Sequence, residues 1–589
     1  MGRCNIIPRK SVFWRWIGQN KYLIVFYGLL FSFFHFSIYK LYGFAIFPDE
    51  FSYWAYAAKA AGYDWSEVVS LNSFYSCGYS ILLFPIFCFF RDALTAYRAA
   101  IALNFILIGI AYWILYRILH IFRPDKREEC QICSAIALFY PAVLFYAQTT
   151  MVETLLVLGY LVLLWLFEQY LRRPSYLNII LLLTVNTFMY FVHMRTIGIF
   201  AVCVGLMIFA EARCKKDYRR ILFIVIMTIV SLYITSVLKK VTTAYLYQNV
   251  NQELYKVNTY GGQFEKIKYI FSRDGITALM AGLCGKILYM GLSTYGMAYW
   301  GICFLTKNCY KGICHRKGCG GIMEAFILLT VLSQIMISAI YNVIPDSYDS
   351  VTFGRYHDFV MPVLIVVGIN EMVCCRRGKK YHLIIMGLFL LMFTMIVLYY
   401  VTGLKLNAAK GYFMVGMSFF EPKEFSAVKF YLISCLIGIL CMCCFALLFL
   451  IYTKSGSRQI LFFCTALQLL LALRLGNNYI YPFNRLAYQD IKLAQRIERI
   501  INSGENAHHI TYIDYNAISA IGLMQFALRD QAFQVVSEDM CIWNETIGER
   551  SIILLGADDP VWDQLQKKYN NEVISGHFIL LYNDEETLK

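Results

Sequence analysis

Apolar runs of roughly 20 residues, the length that crosses a hydrocarbon core, recur along the chain between residues 21 and 475. They predict thirteen spans, at 21–46, 94–122, 131–149, 152–171, 176–192, 196–211, 220–238, 285–305, 323–343, 357–375, 381–402, 426–452 and 459–475. Beyond Asn477 the pattern changes to short apolar runs broken by polar ones. Residues 508–514, 533–537 and 551–556 read as strands, 516–529 and 559–570 as helices, and 572–583 as a hairpin. The expected fold is mainly α, a polytopic membrane bundle over 1–476 followed by a small α/β domain over 477–589. Three long segments interrupt the bundle on one side, at 47–93, 239–284 and 403–425. The first contains two stretches too short or too polar to cross, which predict helices lying along the membrane surface.

Composition agrees with this and removes other classes. Only 15% of residues are charged, against roughly 25% in soluble domains, which rules out a single soluble enzyme, a disordered chain and a coiled coil. The net charge of +15 is unevenly distributed. Residues 477–589 hold 9 basic and 16 acidic side chains, so the excess of positive charge belongs entirely to the bundle. It is concentrated in alternate short loops: Arg123, Lys126 and Arg127; Arg172 and Arg173; Arg213, Lys215, Lys216, Arg219 and Arg220; Lys307, Lys311, Arg316 and Lys317; Arg376, Arg377, Lys379 and Lys380. That is the pattern of cytoplasmic loops and not of a nucleic-acid surface. The basic N-terminal flank joins the same side, which leaves the C-terminal domain outside, on a multi-pass protein of the plasma membrane.

Of the 20 cysteines only Cys77 and Cys541 fall on the outer side, so no disulfide framework is expected there. Cys309, Cys314, His315 and Cys319 share a basic loop, but without the usual spacing of a zinc site. Asn544 opens a formal glycosylation sequon.

Candidate chemistry lies at the outer span ends, where an ionisable residue is a functional candidate by default. Pro48-Asp49-Glu50-Phe51 follows the first span, with Asp49 expected at the N-cap of a surface helix that Gly62 closes. Asp49 either only caps that helix or offers a base at the water–lipid boundary, with Glu50 as the alternative base or as the residue that orients Asp49. Arg355, Tyr356 and His357 stand at the outer start of the tenth span, where Arg355 suits a phosphate with Tyr356 and His357 as further donors, or simply pairs with Asp358 or snorkels to lipid headgroups. Glu153, His193 and Arg195 occupy similar outer positions. Asp346 and Asp349 are candidate ligands for a divalent cation; no other cofactor is expected.

These residues resemble a family. A first span followed by an outer Asp49-Glu50 helix start resembles the integral-membrane GT-C glycosyltransferases. So do a second surface helix running from Gly78-Tyr79-Ser80 to Pro85, a late Arg355-Tyr356 pair and an outer C-terminal domain. The nearest likeness is to the aminoarabinose transferase and protein O-mannosyltransferase branch. The resemblance implies a sugar donor on a polyprenyl phosphate, Asp49 as the catalytic carboxylate, and Arg355 near the donor phosphate. The Glu-Lys-Pro-Pro pattern of the aminoarabinose enzymes is replaced here by Asn72, Ser73, Phe74 and Tyr75, then Cys77 and Gly78. Sugar and acceptor are therefore not carried over. The reading is transfer of a sugar from a lipid phosphate to an outer acceptor hydroxyl on a glycan, lipid or protein. A lipid-linked polysaccharide polymerase or ligase, a flippase, and a non-catalytic scaffold stand as alternatives.

Overall fold

The computed structural model describes residues 10–44, 46–71, 76–247, 261–315, 320–374, 379–418, 426–503, 510–513, 518–536, 552–557, 559 and 562–583. Cys319, Cys541, Asn544 and the stretch 72–75 lie outside the described residues. The chain is a multi-pass membrane bundle. Among the described residues, ten helices are long and apolar enough to cross a membrane, or eleven if one bent pair counts as a single span. Thirteen were expected, and each difference has a local cause.

The region 285–305 is not one helix but the middle of two, Arg273–Ser293 and Met297–His315. Tyr295 (φ 52°) and Gly296 (φ 79°) break the run between them, a change of backbone that an averaged hydropathy does not register. The region 131–149 is bent by 62° between Pro124–Leu138 and Pro141–Ala147, because Pro141 begins a new helix and cannot continue the old one. Tyr176–Val192 and Met361–Cys374 are helical as expected, but with 17 and 14 residues they are short for a full crossing. The first helix, Lys10–Ile38, ends well before Pro48.

Helix ends bearing the basic loops gather on one face. Glu128 pairs with Lys21 at 3.4 Å and Arg458 at 2.5 Å, and Arg123 donates to Asn370 Oδ1 at 2.6 Å. On the opposite face lie the expected surface helices, Asp49–Ala60 and Ser80–Phe89, with a short helix Ser66–Ser70 between them. Gly78 sits where the second of these abuts the end of helix Tyr176–Val192. A Cβ there would lie 2.6 Å from the Val192 Cα, so the approach requires glycine.

The C-terminal sheet has the order β2-β1-β3-β5-β4. β1 (Ile510–Ile513) is parallel to both β2 (Phe533–Val536) and β3 (Ile552–Gly556). β4 (Asn571–Ser575) and β5 (Phe578–Tyr582) form the hairpin, and β5 runs antiparallel to β3. The boundary expected at Asn477 falls on a π-helical turn, Gly476–Ile480, inside a helix that runs from Arg458 to Asn502. This long helix is apolar in its first part and amphipathic in its second. Its second part carries Asn484, whose Oδ1 accepts from the Tyr42 N–H at 2.7 Å, and Asp490, which accepts from the His577 N–H at 2.9 Å. The sheet thus rests on the helix that continues the last span.

Candidate active site

Four of the ionisable residues singled out above meet on the face opposite the basic loops. The helix Asp49–Ala60 has Pro48, not Asp49, at its N-cap, and no side chain caps it. The Asp49 carboxylate is therefore free of that duty, and its Oδ2 accepts from Arg355 Nη2 at 2.9 Å. Gly62, at φ 93°, closes the helix as expected. Arg355 stands in the turn between Phe353 and His357, ahead of the helix Met361–Cys374 rather than at its N-terminus. Its own N–H is taken by the Phe413 carbonyl at 3.3 Å, so any anion must be met by the guanidinium and not by the backbone. Gly354 makes that turn by lying against the Tyr289 ring, 2.1 Å from where a Cβ would stand.

The guanidinium is held from behind. Arg355 Nε donates to Glu153 Oε1 at 2.8 Å, and the same oxygen accepts from Arg195 Nη2 at 3.1 Å. Glu153 is the first residue of the helix Glu153–Arg172 and is buried, as are both arginines. Asp49 alone opens to solvent, with 48% of its side chain exposed. Two carboxylates and two guanidiniums make the cluster formally neutral, which is what lets three of the four leave water. The Phe47 ring lies 5.0 Å from the Arg355 guanidinium. Arg195 lies 4.9 Å over the Tyr356 ring, which in turn meets His193 edge-on at 5.9 Å. His193 Nδ1 accepts from the Arg195 N–H at 3.2 Å. Glu153 also lines a small cavity of about 10 Å³ with Tyr146, Thr154 and Asp358, room for roughly one water.

Other expected site residues point elsewhere. Asp358 does not pair with Arg355; it accepts from the hydroxyls of Tyr140 and Tyr289, each at 2.9 Å. His357 is fully buried with its ring edge against Tyr289, inside the bundle and away from the open corner. Asp346 accepts from Ser350 Oγ at 2.6 Å within its own turn, and Asp349 accepts from the Lys410 N–H at 2.7 Å, which ties two loops together.

Glu50 follows Asp49 in sequence but turns the opposite way. Its Oε2 accepts from the Thr150 N–H (2.7 Å), Thr150 Oγ1 (2.8 Å) and the Tyr97 hydroxyl (3.1 Å). Burial pushes its carboxyl up to about 7 in spite of those three donors, and the Asp49 charge adds to the rise. The sign for stability follows. Between pH 4.5 and about 7 the folded state keeps a proton that the unfolded state releases, so this group's contribution falls as pH rises through that window. The wild-type midpoint of thermal unfolding in detergent should decline across it relative to Glu50→Gln, whose side chain does not titrate. Parallel curves for the two proteins would refute the assignment.

The sequence reading did not identify Thr150, Tyr97, Phe47 or the Phe413 carbonyl. Tyr53, buried one turn after Asp49 on the same helix, could have been found from its i, i+4 spacing.

No family model matches the chain, and no curated protein matches it in sequence. Among solved structures, the crystal structure of ArnT from Cupriavidus metallidurans bound to undecaprenyl phosphate is similar over 96% of this chain and 98% of its own, with a TM-score of 0.51 and 12% identity. At that identity the likeness is one of fold. It bears out the expected polytopic helical architecture with a C-terminal sheet, in the arrangement the sequence resembled.

Proposed function

We propose that the protein transfers a sugar from a polyprenyl-phosphate donor to an acceptor hydroxyl on the outer side of the plasma membrane, with inversion at the anomeric carbon. The observation that carries this reading is the half-exposed Asp49 held 2.9 Å from a buried Arg355. One corner of the bundle then offers a proton acceptor and an anion-binding group together. The whole-length fold likeness to a protein bound to undecaprenyl phosphate supports the donor class.

In this mechanism the donor phosphate takes up a place against the Arg355 guanidinium, which Glu153 keeps aimed from behind. Asp49 removes the proton of the acceptor hydroxyl as its oxygen attacks the anomeric carbon. The bond from that carbon to the phosphate oxygen breaks with its electron pair, and polyprenyl phosphate leaves. Negative charge thereby passes from Asp49 to the leaving phosphate, from one side of Arg355 to the other. The cation that steadies the base at the start steadies the product at the end. Arg195 and Tyr356 support Glu153 and Arg355 rather than meet the donor. Glu50, bound to Thr150 and Tyr97, orients the first turn that carries Asp49.

The test uses purified protein in detergent, a panel of polyprenyl-phosphate sugars and a crude cell-envelope acceptor, with released polyprenyl phosphate followed by mass spectrometry. Release by the wild type with at least one donor is expected. No release from any donor, in protein shown to be folded, would overturn the proposal in favour of a ligase or flippase.

A further inference from the structure

The C-terminal domain packs directly on the helix that carries Asp49. The contact is made by the helix Ile518–Ala527, between strands β1 and β2. Gly522 is its point of closest approach: a Cβ there would lie 2.8 Å from Phe51 Cγ. The next residue reverses the fit, since Leu523 fills the space beside Gly43, where a Cβ would fall 2.4 Å from Leu523 Cδ1. One turn on, the buried Phe526 ring lies 4.8 Å from Trp54 and 5.0 Å from Phe44.

Arg529 then reaches the second surface helix, Ser80–Phe89. It donates from Nη1 to the Phe87 carbonyl at 3.0 Å and from Nη2 to the Phe90 carbonyl at 2.9 Å, acceptors that a helix end otherwise leaves unpaired. The segment between the surface helices is tied as well, because Trp65 Nε1 donates to the Arg529 carbonyl at 3.0 Å. One short helix and the residue just beyond it therefore grip both surface helices and their connection. On its far side the grip is completed by the bundle, where Trp54 Nε1 donates to Thr150 Oγ1 at 3.1 Å, the hydroxyl that also holds Glu50.

We infer that the C-terminal domain is a clamp that sets the position of Asp49 relative to Arg355, with Gly522, Phe526 and Arg529 as positioning residues acting through Phe51, Trp54 and the second surface helix. Arg355 is anchored in the bundle by Glu153, and Asp49 is anchored through its helix. The helix lies between Thr150 on one side and Ile518–Ala527 on the other. Enlarging Gly522 displaces Phe51 and with it the first turn. Truncating Phe526 removes the surface against which Trp54 is pressed. Either change moves the base without altering any atom of the Asp49, Arg355, Glu153 and Arg195 cluster.

The kinetic half of the test rests on the transfer proposed above; the structural half does not. Gly522→Val, Phe526→Ala and Phe526→Leu would be compared with wild type and with Ile574→Ser, a change at a residue of β4 that is 62% exposed. Hydrogen exchange is expected to be at least about tenfold faster across the helix Asp49–Ala60 in Gly522→Val and Phe526→Ala, with β1, β3 and β5 still protected. With the same donor, kcat should fall by about 10²-fold while the donor KM stays within about threefold, the split that misplacement of a base produces. Phe526→Leu should recover most of both, and Ile574→Ser should match wild type. Unchanged exchange across Asp49–Ala60, in variants whose sheet stays protected, would overturn the clamp whether or not the protein is active. If Gly522→Val loses protection throughout, the Phe526 pair decides. Wild-type protein that releases no polyprenyl phosphate would remove the transfer reading and leave the exchange result to judge the clamp.

Discussion

Asp49→Asn should lose polyprenyl-phosphate release by about 10³-fold, within the range of 10² to 10⁴ that a positioned general base supplies. The substitution preserves shape, and the amide oxygen still accepts from Arg355 Nη2 across the 2.9 Å contact, so the fold and the aim of the guanidinium are kept. What is removed is the negative charge and the capacity to take a proton. The same change should not weaken donor binding. On the proposed mechanism the Asp49 charge repels the donor phosphate and makes no contact that holds it, so the variant should bind polyprenyl phosphate as tightly as wild type or more tightly. Activity within tenfold of wild type would remove Asp49 from the mechanism. A large loss of phosphate binding would make its role one of positioning only.

Glu153→Ala should be the most destabilising single change in the cluster, costing about 3–5 kcal/mol, the usual result of breaking a buried ion pair by deleting one partner. Against total stabilities of about 5–15 kcal/mol, that is a large fraction. Two buried guanidiniums share its Oε1, and both lose their acceptor at once. Glu153→Gln keeps the shape but leaves one positive charge uncompensated, whereas Arg195→Met leaves one negative charge. The double variant restores neutrality and should melt higher in detergent than the sum of the two single losses allows. Strict additivity would mean that Glu153 and Arg195 are neighbours without being partners.

Much of the fold was legible because membrane crossing imposes a length and a composition that no tertiary contact overrides. The strands were legible too, each within a residue or two, from short apolar runs between polar breaks. The reading lost accuracy where the backbone changes direction inside an apolar stretch, at Gly296 and Pro141, since hydropathy measures transfer and not direction. The site was legible in its members and not in its assembly. Asp49, Glu153, Arg195 and Arg355 each stood out as an ionisable group at a span end. That Arg355 bonds residues 306 and 202 positions earlier depends on how the helices pack, which the linear pattern does not encode. Glu50, read as the alternative base or as a group that orients Asp49, turns away from Arg355 toward Thr150 and Tyr97, because adjacency in sequence is not adjacency on a helix, where successive side chains point about 100° apart. Nothing in the apolar run around Gly522 marked it as a contact with Phe51.

The pairing of Asn484 with the backbone of Tyr42, across 442 residues, has a consequence for how the protein is made. Synthesis delivers Asp49, Glu153, Arg195 and Arg355 long before it delivers the long helix through Asn502 and the helix Ile518–Ala527 that hold the Asp49 helix down. A chain still emerging from the ribosome therefore carries every charged group of the site but not the segment that packs on the Asp49 helix. On the proposed reading, the site becomes complete only late in biogenesis, once the helix Ile518–Ala527 has been made and has packed against the surface helices near the beginning of the chain.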